Sequence, residues 1–255
     1  HTEAIVQFST QSAARNCEQA LNGLSNVEFA EVDRFVCFDI PSDGDAPQQG
    51  TLSDLTWGES YMHADQYAHY LEYNNYNDLV TVAVVDSGVD MDHPFLNGRV
   101  LSNGYDYVNN DNDPDDDYGH GTHVAGIIVD CTNKLNVKIM PVKVMDSLGE
   151  QTSIAIIGLG IHHAANNGAN VINLSIGCNG ISSYIDKAVT KAISEKGAVV
   201  CIAAGNGNPI NHLAVNTANL SPAHLDEAII VGAIDQTGAV AYFSNYGSSV
   251  DVVAP

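Results

Sequence analysis

Two histidines in a glycine-rich stretch are the first candidates for chemistry. His120 stands between two glycines and His123 follows it, within residues 119–127 (GHGTHVAGI). The glycines allow close approach of the main chain, and the apolar residues after them predict a helix that begins near His120. The stretch differs from the zinc-binding H-E-x-x-H pattern, because it has no Glu between the histidines and a shorter spacing. Taken alone, the motif is compatible with a structural or a catalytic histidine.

Three further polar residues follow apolar runs that predict buried strands. They are Asp86, Ser175 and Asn206. In open α/β sheets, chemistry takes place beyond the carboxyl ends of the strands. We therefore expect these residues to meet at one edge of a sheet, although an Asp in such a position also commonly caps a helix.

An acidic segment, residues 106–117 (DYVNNDNDPDDD), is a second candidate site. Its alternating Asp and Asn side chains are hard oxygen donors at short range, which suits Ca²⁺. The same composition is typical of a solvated surface loop, so the residues alone leave both interpretations open.

The elements that must position these residues have a regular order. Continuous β-branched and apolar runs predict five strands that are covered on both faces, over residues 79–85, 137–144, 169–174, 198–203 and 228–233. Helical spacing lies between them, over residues 121–129, 152–167 and 181–196. Strands that alternate with helices of this length indicate βαβ units with right-handed crossovers. The predicted fold class is α/β, with a doubly wound, mostly parallel sheet flanked by helices.

The N-terminal part differs in character and predicts a small α+β unit over residues 1–40. Its pattern indicates a helix with a strand on either side, over residues 12–24, 4–8 and 27–32. Residues 41–56 are polar with Pro and Gly and predict a linker. The α/β domain is then expected to occupy residues 57–255.

Charge and cysteine content exclude several classes of function. The 255 residues include 31 acidic and 9 basic side chains, for a formal charge of −22. Such a chain repels nucleic acid and anionic lipid, so neither is an expected partner. No apolar run approaches about 18 residues, so we predict no membrane span. Cys17 and Cys37 could form a disulfide, but the five scattered cysteines fit buried free thiols better.

Five motifs, taken in order, resemble the subtilisin-like serine proteases, the subtilase family. They are residues 84–90 (VVDSGVD), 119–126 (GHGTHVAG), 172–177 (INLSIG), 203–206 (AAGN) and 242–255 (YFSNYGSSVDVVAP). The resemblance covers about residues 57–255. It implies a subtilisin-like fold, hydrolysis of peptide bonds in protein or peptide substrates by an Asp-His-Ser triad, and a secreted or cell-surface location.

The resemblance also implies roles for single residues. Asp86 matches the triad aspartate, His120 the general base, and Asn206 the side-chain donor of the oxyanion hole. Two backbone segments match those that line the primary specificity pocket and pair with substrate: Ser175, Ile176, Gly177 and Ala203, Ala204, Gly205.

Two further features of the family have counterparts here. The acidic segment resembles the calcium loop of thermitase-like subtilases, and the matching positions are Asp106, Asn109, Asp111, Asp113 and Asp115. Residues 27–33 resemble the end of an inhibitory prosegment, which implies a zymogen in which residues 1–40 bind the catalytic domain. The alternative is an N-terminal decoration of that domain.

The sequence departs from the family at two points. The family's nucleophile lies in a G-T-S-x-A motif that follows the segment ending here at Pro255, and this sequence has no such motif. A missing C-terminal part of the catalytic domain is therefore an expected partner, and these 255 residues alone are expected to be inactive. In addition, Cys178 stands where the family has Gly, which alters the expected width of the specificity pocket.

Three hypotheses for the function follow. The first is a serine endopeptidase represented without its serine. The second is a catalytically inactive subtilase that acts as a scaffold or regulator, and the third is a calcium-binding module. The presence of Asp86, His120 and Asn206 favours the first, because an inactive copy has no chemical need for all three.

Overall fold

The computed structural model describes residues 4–33, 35–36, 56–149, 152–208, 211 and 213–255. The helices are α1 Gln11–Asn22, α2 Trp57–Tyr61, α3 Ala64–Tyr73, α4 His120–Cys131, α5 Ile154–Asn166 and α6 Ser183–Ser194. The strands are β1 Phe35–Val36, β2 Val80–Asp86, β3 Tyr105–Asp106, β4 Val137–Lys143, β5 Thr152–Ser153, β6 Val171–Leu174, β7 Cys178–Asn179, β8 Val199–Ala203, β9 Leu220–Ser221, β10 Ile229–Ala233 and β11 Val252–Ala254. Short 3₁₀ turns lie at Pro94–Leu96 and Thr217–Asn219.

Seven strands form one parallel sheet in the order β11-β10-β8-β6-β2-β4-β3. The chain builds outward from β2 in both directions, first to β3 and β4 and then to β6, β8, β10 and β11. This confirms the predicted doubly wound α/β fold, and each of the five apolar runs supplies one strand. The pattern did not predict β3 and β11, which are short strands at the two edges.

The central strand β2 explains why its sequence is apolar without alternation. Val82 and Val84 pack on the face covered by α4, while Ala83 and Val85 pack on the face covered by α5 and α6. A strand covered on both faces has no solvent side for polar residues. The ends of β2 and its neighbours are therefore held in a dry, close-packed layer, which fixes the positions of the residues that follow them.

The N-terminal unit differs from the prediction. Helix α1 forms nearly as expected, but residues 4–8 and 27–32 form no strand. The backbone of residues 27–32 is bonded by side chains instead: Asn22 bonds both polar groups of Ala30, and Glu18 accepts from the N–H of Val32. Alternating residues predict a half-buried surface, but a strand also needs a neighbouring strand to pair with. Among the described residues of this unit, that pairing occurs only at β1, which is antiparallel to β5.

A smaller correction concerns the start of α5, predicted at Thr152. Thr152 and Ser153 instead form β5, and the Ser153 hydroxyl caps the helix by accepting from the N–H of Ile156 at 3.2 Å. Helices α2 and α3 were not predicted. Most of the predicted linker, residues 41–55, lies outside the described residues.

Cys17, Cys131 and Cys201 are free thiols, and Cys37 lies outside the described residues. Within the part of the chain that the structure describes, no helix has the length and apolar character needed to cross a membrane.

Candidate active site

Asp86 and His120 form the centre of the site. Asp86 is the last residue of β2 and is fully buried, and its Oδ1 lies 2.7 Å from Nδ1 of His120. The same oxygen accepts from the N–H of Ser87 at 2.8 Å, while Oδ2 accepts no hydrogen bond from any described residue. His120 remains 26% exposed. The pair thus has a buried carboxylate that orients an imidazole whose other nitrogen can face a substrate.

Two glycines allow this close approach of α4 to β2. Gly119 precedes the helix with φ of 107°, a conformation that favours glycine. A Cβ on Gly121 would collide with the carbonyl oxygen of Gly88 and would lie 3.1 Å from Cβ of Asp86. The G-H-G pattern is therefore explained by helix entry on one side of His120 and by contact between helix and strand on the other.

Asp116 replaces the helix cap that Gly119 cannot provide. Its carboxylate accepts from the N–H of Gly119 at 2.8 Å and from the N–H and hydroxyl of Thr122 at 2.9 and 2.5 Å. It also accepts from the hydroxyl of Ser87 at 2.8 Å, and that hydroxyl accepts from the N–H of Gly121. Asp116 therefore joins the start of α4 to the end of β2.

Sequence analysis assigned no role to Asp116 because it lies within the acidic segment. One signal in the sequence pointed to a role for Asp116. It lies four residues before His120, where the helix begins after a glycine that has no side chain to cap it. Burial would raise the pKa of the Asp116 carboxyl, but hydrogen bonds from Thr122, Gly119 and Tyr118 outweigh burial and lower it. These bonds stabilise the charged form of the carboxylate.

The charge state of His120 is set by opposing effects. Burial disfavours the imidazolium and would lower the pKa of His120. The hydrogen bond and charge of Asp86, together with the charge of Asp116, outweigh burial and raise that pKa above its ordinary value. A positive charge that forms on this imidazole during a reaction is therefore stabilised by two carboxylates.

Lys143 is a second residue that sequence analysis missed. It ends β4 beside Asp86 in the sheet, is 1% exposed, and donates from Nζ to the carbonyl oxygen of Ser87 at 2.6 Å. It also forms an ion pair with Asp117. A lysine at the carboxyl end of an apolar strand was the signal, because a buried lysine is almost always paired. Lys143 ties the acidic segment to the carboxyl end of the sheet.

The predicted binding residues surround one cavity of about 130 Å³. His120 and Asn206 line it together with all six predicted backbone positions: Ser175, Ile176, Gly177, Ala203, Ala204 and Gly205. Cys178, Leu220 and Ala223 add apolar surface to the lining, and Asn179, Ser221 and Asn245 add polar groups. Among the residues that the structure describes there, His120 is the only side chain with an ionisable nitrogen or carboxyl group. The two backbone segments lie at the ends of β6 and β8, and His120 is held by Asp86 at the end of β2. These three strands are neighbours in the sheet, which is why the three separate motifs converge.

The predicted metal ligands are not brought together in the same way. Asp106 is buried, and its carboxylate accepts from the N–H groups of Val108 and Asn109 and from the Asn109 amide. Asp111 accepts from the N–H of Asp113 at 2.9 Å. Among the described residues, no three His, Cys, Asp or Glu side chains are grouped so that they could hold a metal ion. The calcium site stays a prediction.

Comparison with known proteins agrees with this geometry. Residues 77–255 match the model of the subtilase family. The chain is 36% identical over 286 aligned positions to a thermophilic serine proteinase of Bacillus sp. strain AK1, covering 99% of this chain and 69% of that protein. It is 42% identical over 182 positions to thermitase of Thermoactinomyces vulgaris, covering 68% of this chain and 62% of thermitase.

A solved structure gives the same result. A cold-adapted subtilisin-like serine proteinase superposes with a TM-score of 0.62 at 38% identity, covering 69% of this chain and 62% of that one. The chain thus spans somewhat under two thirds of two of these three proteins. The family model matches most of the chain, and the Asp86–His120 pair lies at the carboxyl end of the central strand β2 of a doubly wound sheet. The chain therefore belongs to the subtilase family, the subtilisin-like serine proteases.

Proposed function

We propose that this chain is part of a serine endopeptidase that hydrolyses peptide bonds. The observation that carries the proposal is the 2.7 Å hydrogen bond between buried Asp86 and His120, at a cavity that Asn206 also lines. The nucleophile is a serine of a G-T-S-x-A motif in a further part of the polypeptide. This proposal explains why the three residues lie together, which neither an inactive scaffold nor a calcium module requires.

The chemistry assigns one task to each residue. Nε2 of His120 takes the proton of the serine hydroxyl as the oxygen attacks the peptide carbonyl, and it returns that proton to the leaving amine. Asp86 holds the proton on Nδ1 and stabilises the imidazolium. The Asn206 side chain donates to the oxyanion; loss of such a donor costs about 10²–10³ in kcat, the magnitude that subtilisin shows for its own asparagine.

The cavity supports an uncharged side chain as the substrate residue before the cleaved bond. Among the described residues, the lining offers a charged side chain no partner of opposite charge other than His120. We assign the Ser175–Gly177 and Ala203–Gly205 segments to pair with the substrate backbone as an added strand. Cys178 is 5% exposed and occupies part of the wall, so its side chain limits how wide a substrate residue can be.

We assign residues 1–40 to an inhibitory prosegment, and two carboxylates support this. Glu31 accepts from the hydroxyl of Ser182 at 3.2 Å and from the N–H of Tyr184 at 3.1 Å, at the start of α6. Asp33 accepts from the N–H of Ala155 at 3.1 Å, at the start of α5. Helix N-termini bind negative charge because their first N–H groups lack partners within the helix.

A short strand extends the same attachment. Phe35 pairs with Ser153 and Val36 with Thr152, in the antiparallel sense. Addition of a strand to an exposed strand is how extended peptides commonly bind proteins. Pairing with β5 therefore supports binding of the N-terminal unit to the catalytic domain, which an inhibitory prosegment requires. A secreted or cell-surface location is expected for such a zymogen.

We also expect a further part of the catalytic domain to pack on the β11 edge of the sheet. Val252 and Val253 of that strand are each 50% exposed, and Tyr242 nearby in the chain is 74% exposed. Apolar side chains at the end of a parallel sheet are ordinarily covered by helices or strands. The proposed serine-bearing segment is the occupant assigned to this surface.

The test of the proposed function is labelling of the complete polypeptide with a fluorophosphonate, which reacts with activated serines. We expect labelling at the serine of a G-T-S-x-A motif and its suppression in His120→Ala. His123→Ala is the matched control, because His123 lies on the same helix and is exposed, and it should label normally. If the complete polypeptide has no such serine or does not label, the scaffold hypothesis replaces this one.

A calcium ion at the acidic segment is a separate proposal, supported by donor chemistry. Burial, together with the carboxylates of Asp90 and Asp113, raises the pKa of Asp115, so negative charge is crowded there.

At a calcium concentration 100-fold above Kd, an ion that binds only the folded state adds about 2.7 kcal/mol to the free energy of unfolding, or roughly 5–10 °C in Tm. Asp111→Asn with Asp113→Asn should abolish the rise. The charge-matched control, Glu195→Gln with Asp226→Asn, should keep it, and a rise that survives in both pairs places the ion elsewhere.

A further inference from the structure

Asn245 is a buried amide to which neither the motif that contains it nor the triad chemistry assigns a role. It lies in the segment between β10 and β11 and is 4% exposed. Sequence analysis treated it only as part of the segment that leads to the family's nucleophile. A buried amide has several polar atoms to satisfy, so the location of its partners shows which parts of the chain it holds.

Those partners lie on both sides of Asn206. The side-chain Nδ2 of Asn245 donates to the carbonyl oxygen of Ala204 at 2.8 Å, and Oδ1 accepts from the N–H of Gly207 at 3.0 Å. The backbone N–H of Asn245 donates to the carbonyl oxygen of Gly205 at 2.9 Å. One residue therefore holds the turn before and after the proposed oxyanion donor.

The amide also ties that turn to a third segment. Oδ1 of Asn245 accepts a second hydrogen bond, from the N–H of Val215 at 2.9 Å. Only a primary amide supplies an N–H donor and an oxygen that accepts twice in this arrangement. An ionised carboxylate of the same shape has no donor for the carbonyl of Ala204.

The contact between Asn245 and the turn has no spare room. Gly205 has φ of 98°, and a Cβ at Gly205 would lie 2.6 Å from Nδ2 of Asn245. The turn can come this close because residue 205 has no side chain. A shift of the amide is therefore transmitted to the backbone beside Asn206.

We propose that Asn245 is a positioning residue that fixes Asn206 for stabilisation of the oxyanion. The proposal rests on the serine endopeptidase function proposed above. A preset donor is effective because it needs no reorganisation when charge develops, and a misplacement of about 1 Å can cost about 10²-fold in rate. Asn245 acts through Asn206, since its own side-chain polar atoms are bonded to the backbone of residues 204, 207 and 215.

The experiment compares Asn245→Asp, Asn206→Ala and the double variant in the complete polypeptide, using a peptide anilide. We expect Asn245→Asp to lower kcat roughly tenfold to a hundredfold with KM within about twofold, because the defect lies in the transition state. Affinity for a peptide boronic acid, which forms a tetrahedral adduct, should fall by a similar factor. In the Asn206→Ala background, the same substitution should change kcat by less than about threefold.

Ser244→Ala is the matched control. Ser244 is also buried and neighbours Asn245. Its hydroxyl accepts from the N–H of Ala233 in β10 and donates to the backbone carbonyl oxygen of Asn245, so it leaves the Asn245 amide side chain and its bonds to the turn intact. It should lower Tm without lowering kcat. If Asn245→Asp does not fold, Asn245→Ser replaces it. Its shorter, uncharged side chain cannot reach all three backbone partners of the amide, so it should likewise lower kcat.

Two results would overturn the proposal. One is a folded Asn245 variant with unchanged kcat, and the other is a loss that multiplies fully with that of Asn206→Ala, which would show independent action. An inactive, unlabelled wild-type polypeptide would instead overturn the endopeptidase function itself. The two failures are thus distinguishable by the wild-type protein alone.

Discussion

The residues of the candidate active site and those of the N-terminal unit are held in place by different kinds of contact. Asp86 is fully buried at the end of a central strand, and the helix that carries His120 is locked to it by glycine contacts and the Asp116 carboxylate. In the N-terminal unit, helix α1 has no fully buried residue. Its described attachments include Glu31 and Asp33 at helix ends, an exposed ion pair of Glu28 with Lys187, and that lysine over the ring of Phe29.

The difference indicates what each region is suited for. Close packing around a central strand keeps catalytic groups in place, because displacement would open voids or cause overlaps. Contacts at helix ends on the surface hold the N-terminal unit in one orientation and bury little apolar area. Release of this unit would therefore expose little apolar surface of the domain. We therefore expect the residues of the site to stay in fixed positions, and we expect the N-terminal unit to be released from the domain more easily.

The largest effect should come from Gly121→Ala. The added methyl group overlaps the carbonyl of Gly88, so helix α4 must move away from β2 and the bond between Asp86 and His120 lengthens. We expect kcat of the complete enzyme to fall about 100-fold or more and the free energy of unfolding to fall by about 1–3 kcal/mol. Steady-state kinetics and denaturant unfolding measure the two effects.

Gly126→Ala is the control on the same helix. A Cβ at Gly126 meets nothing within 4 Å, so alanine should stabilise the protein by about 0.5–1 kcal/mol and leave kcat unchanged. Equal losses in the two variants would mean that helix content, rather than the contact with β2, determines activity.

An intermediate effect is expected at the helix-end contacts. A peptide of residues 1–45 should inhibit the complete enzyme when added separately. Glu31→Gln and Asp33→Asn should each raise its inhibition constant about twofold to fivefold, because each removes a negative charge from a helix N-terminus and keeps the acceptor oxygen. Inhibition is measured by titration of the peptide against hydrolysis of a peptide anilide.

Glu28→Gln serves as the control peptide. Glu28 is solvent-exposed and pairs with Lys187 at the surface, where ion pairs contribute little, so inhibition should change by less than about twofold. Absence of inhibition by the unmodified peptide at micromolar concentration would assign residues 1–40 to a decoration of the domain.

The smallest effect is a shift in pH dependence. His120 must be neutral to accept a proton, and Asp86 and Asp116 raise its pKa, so activity should fail on acidification at a higher pH than an ordinary histidine would dictate. Asp116→Asn removes one negative charge while keeping an oxygen for the helix cap. The acidic limb of kcat/KM should therefore move to lower pH, and an unmoved limb would mean that the charge of Asp116 is not felt at His120.

The same shift has a consequence for stability with the opposite pH direction. A histidine whose pKa is higher in the folded than in the unfolded state stabilises the fold when protonated. This contribution is fully present below the unfolded pKa and is lost as pH rises through the folded one. Asp116→Asn should reduce this contribution. The free energy of unfolding should then differ less between acidic and alkaline pH in the variant than in the wild type, as denaturant unfolding curves would show.

The sequence alone determined the fold class and which polar residues lie close together at the candidate site. Continuous apolar runs identify β2, β4, β6, β8 and β10, because strands covered on both faces cannot alternate. The rule that chemistry lies at carboxyl ends then places Asp86, Ser175 and Asn206 at one edge. Such inferences succeed because they depend on local pattern and on the few topologies that parallel strands allow.

Only the tertiary structure decided how those residues are held. Asp116 caps α4, and Lys143 is buried at the end of β4. The Asn245 amide bonds the turn around Asn206, and side-chain bonds replace strand pairing near Ala30. These contacts depend on which polar groups the folded chain brings together, and sequence periodicity does not indicate them. An Asp, a Lys or an Asn is compatible with many environments. Its partner is fixed by where the folded chain brings an unsatisfied backbone group or charge, and that is a property of the packed molecule.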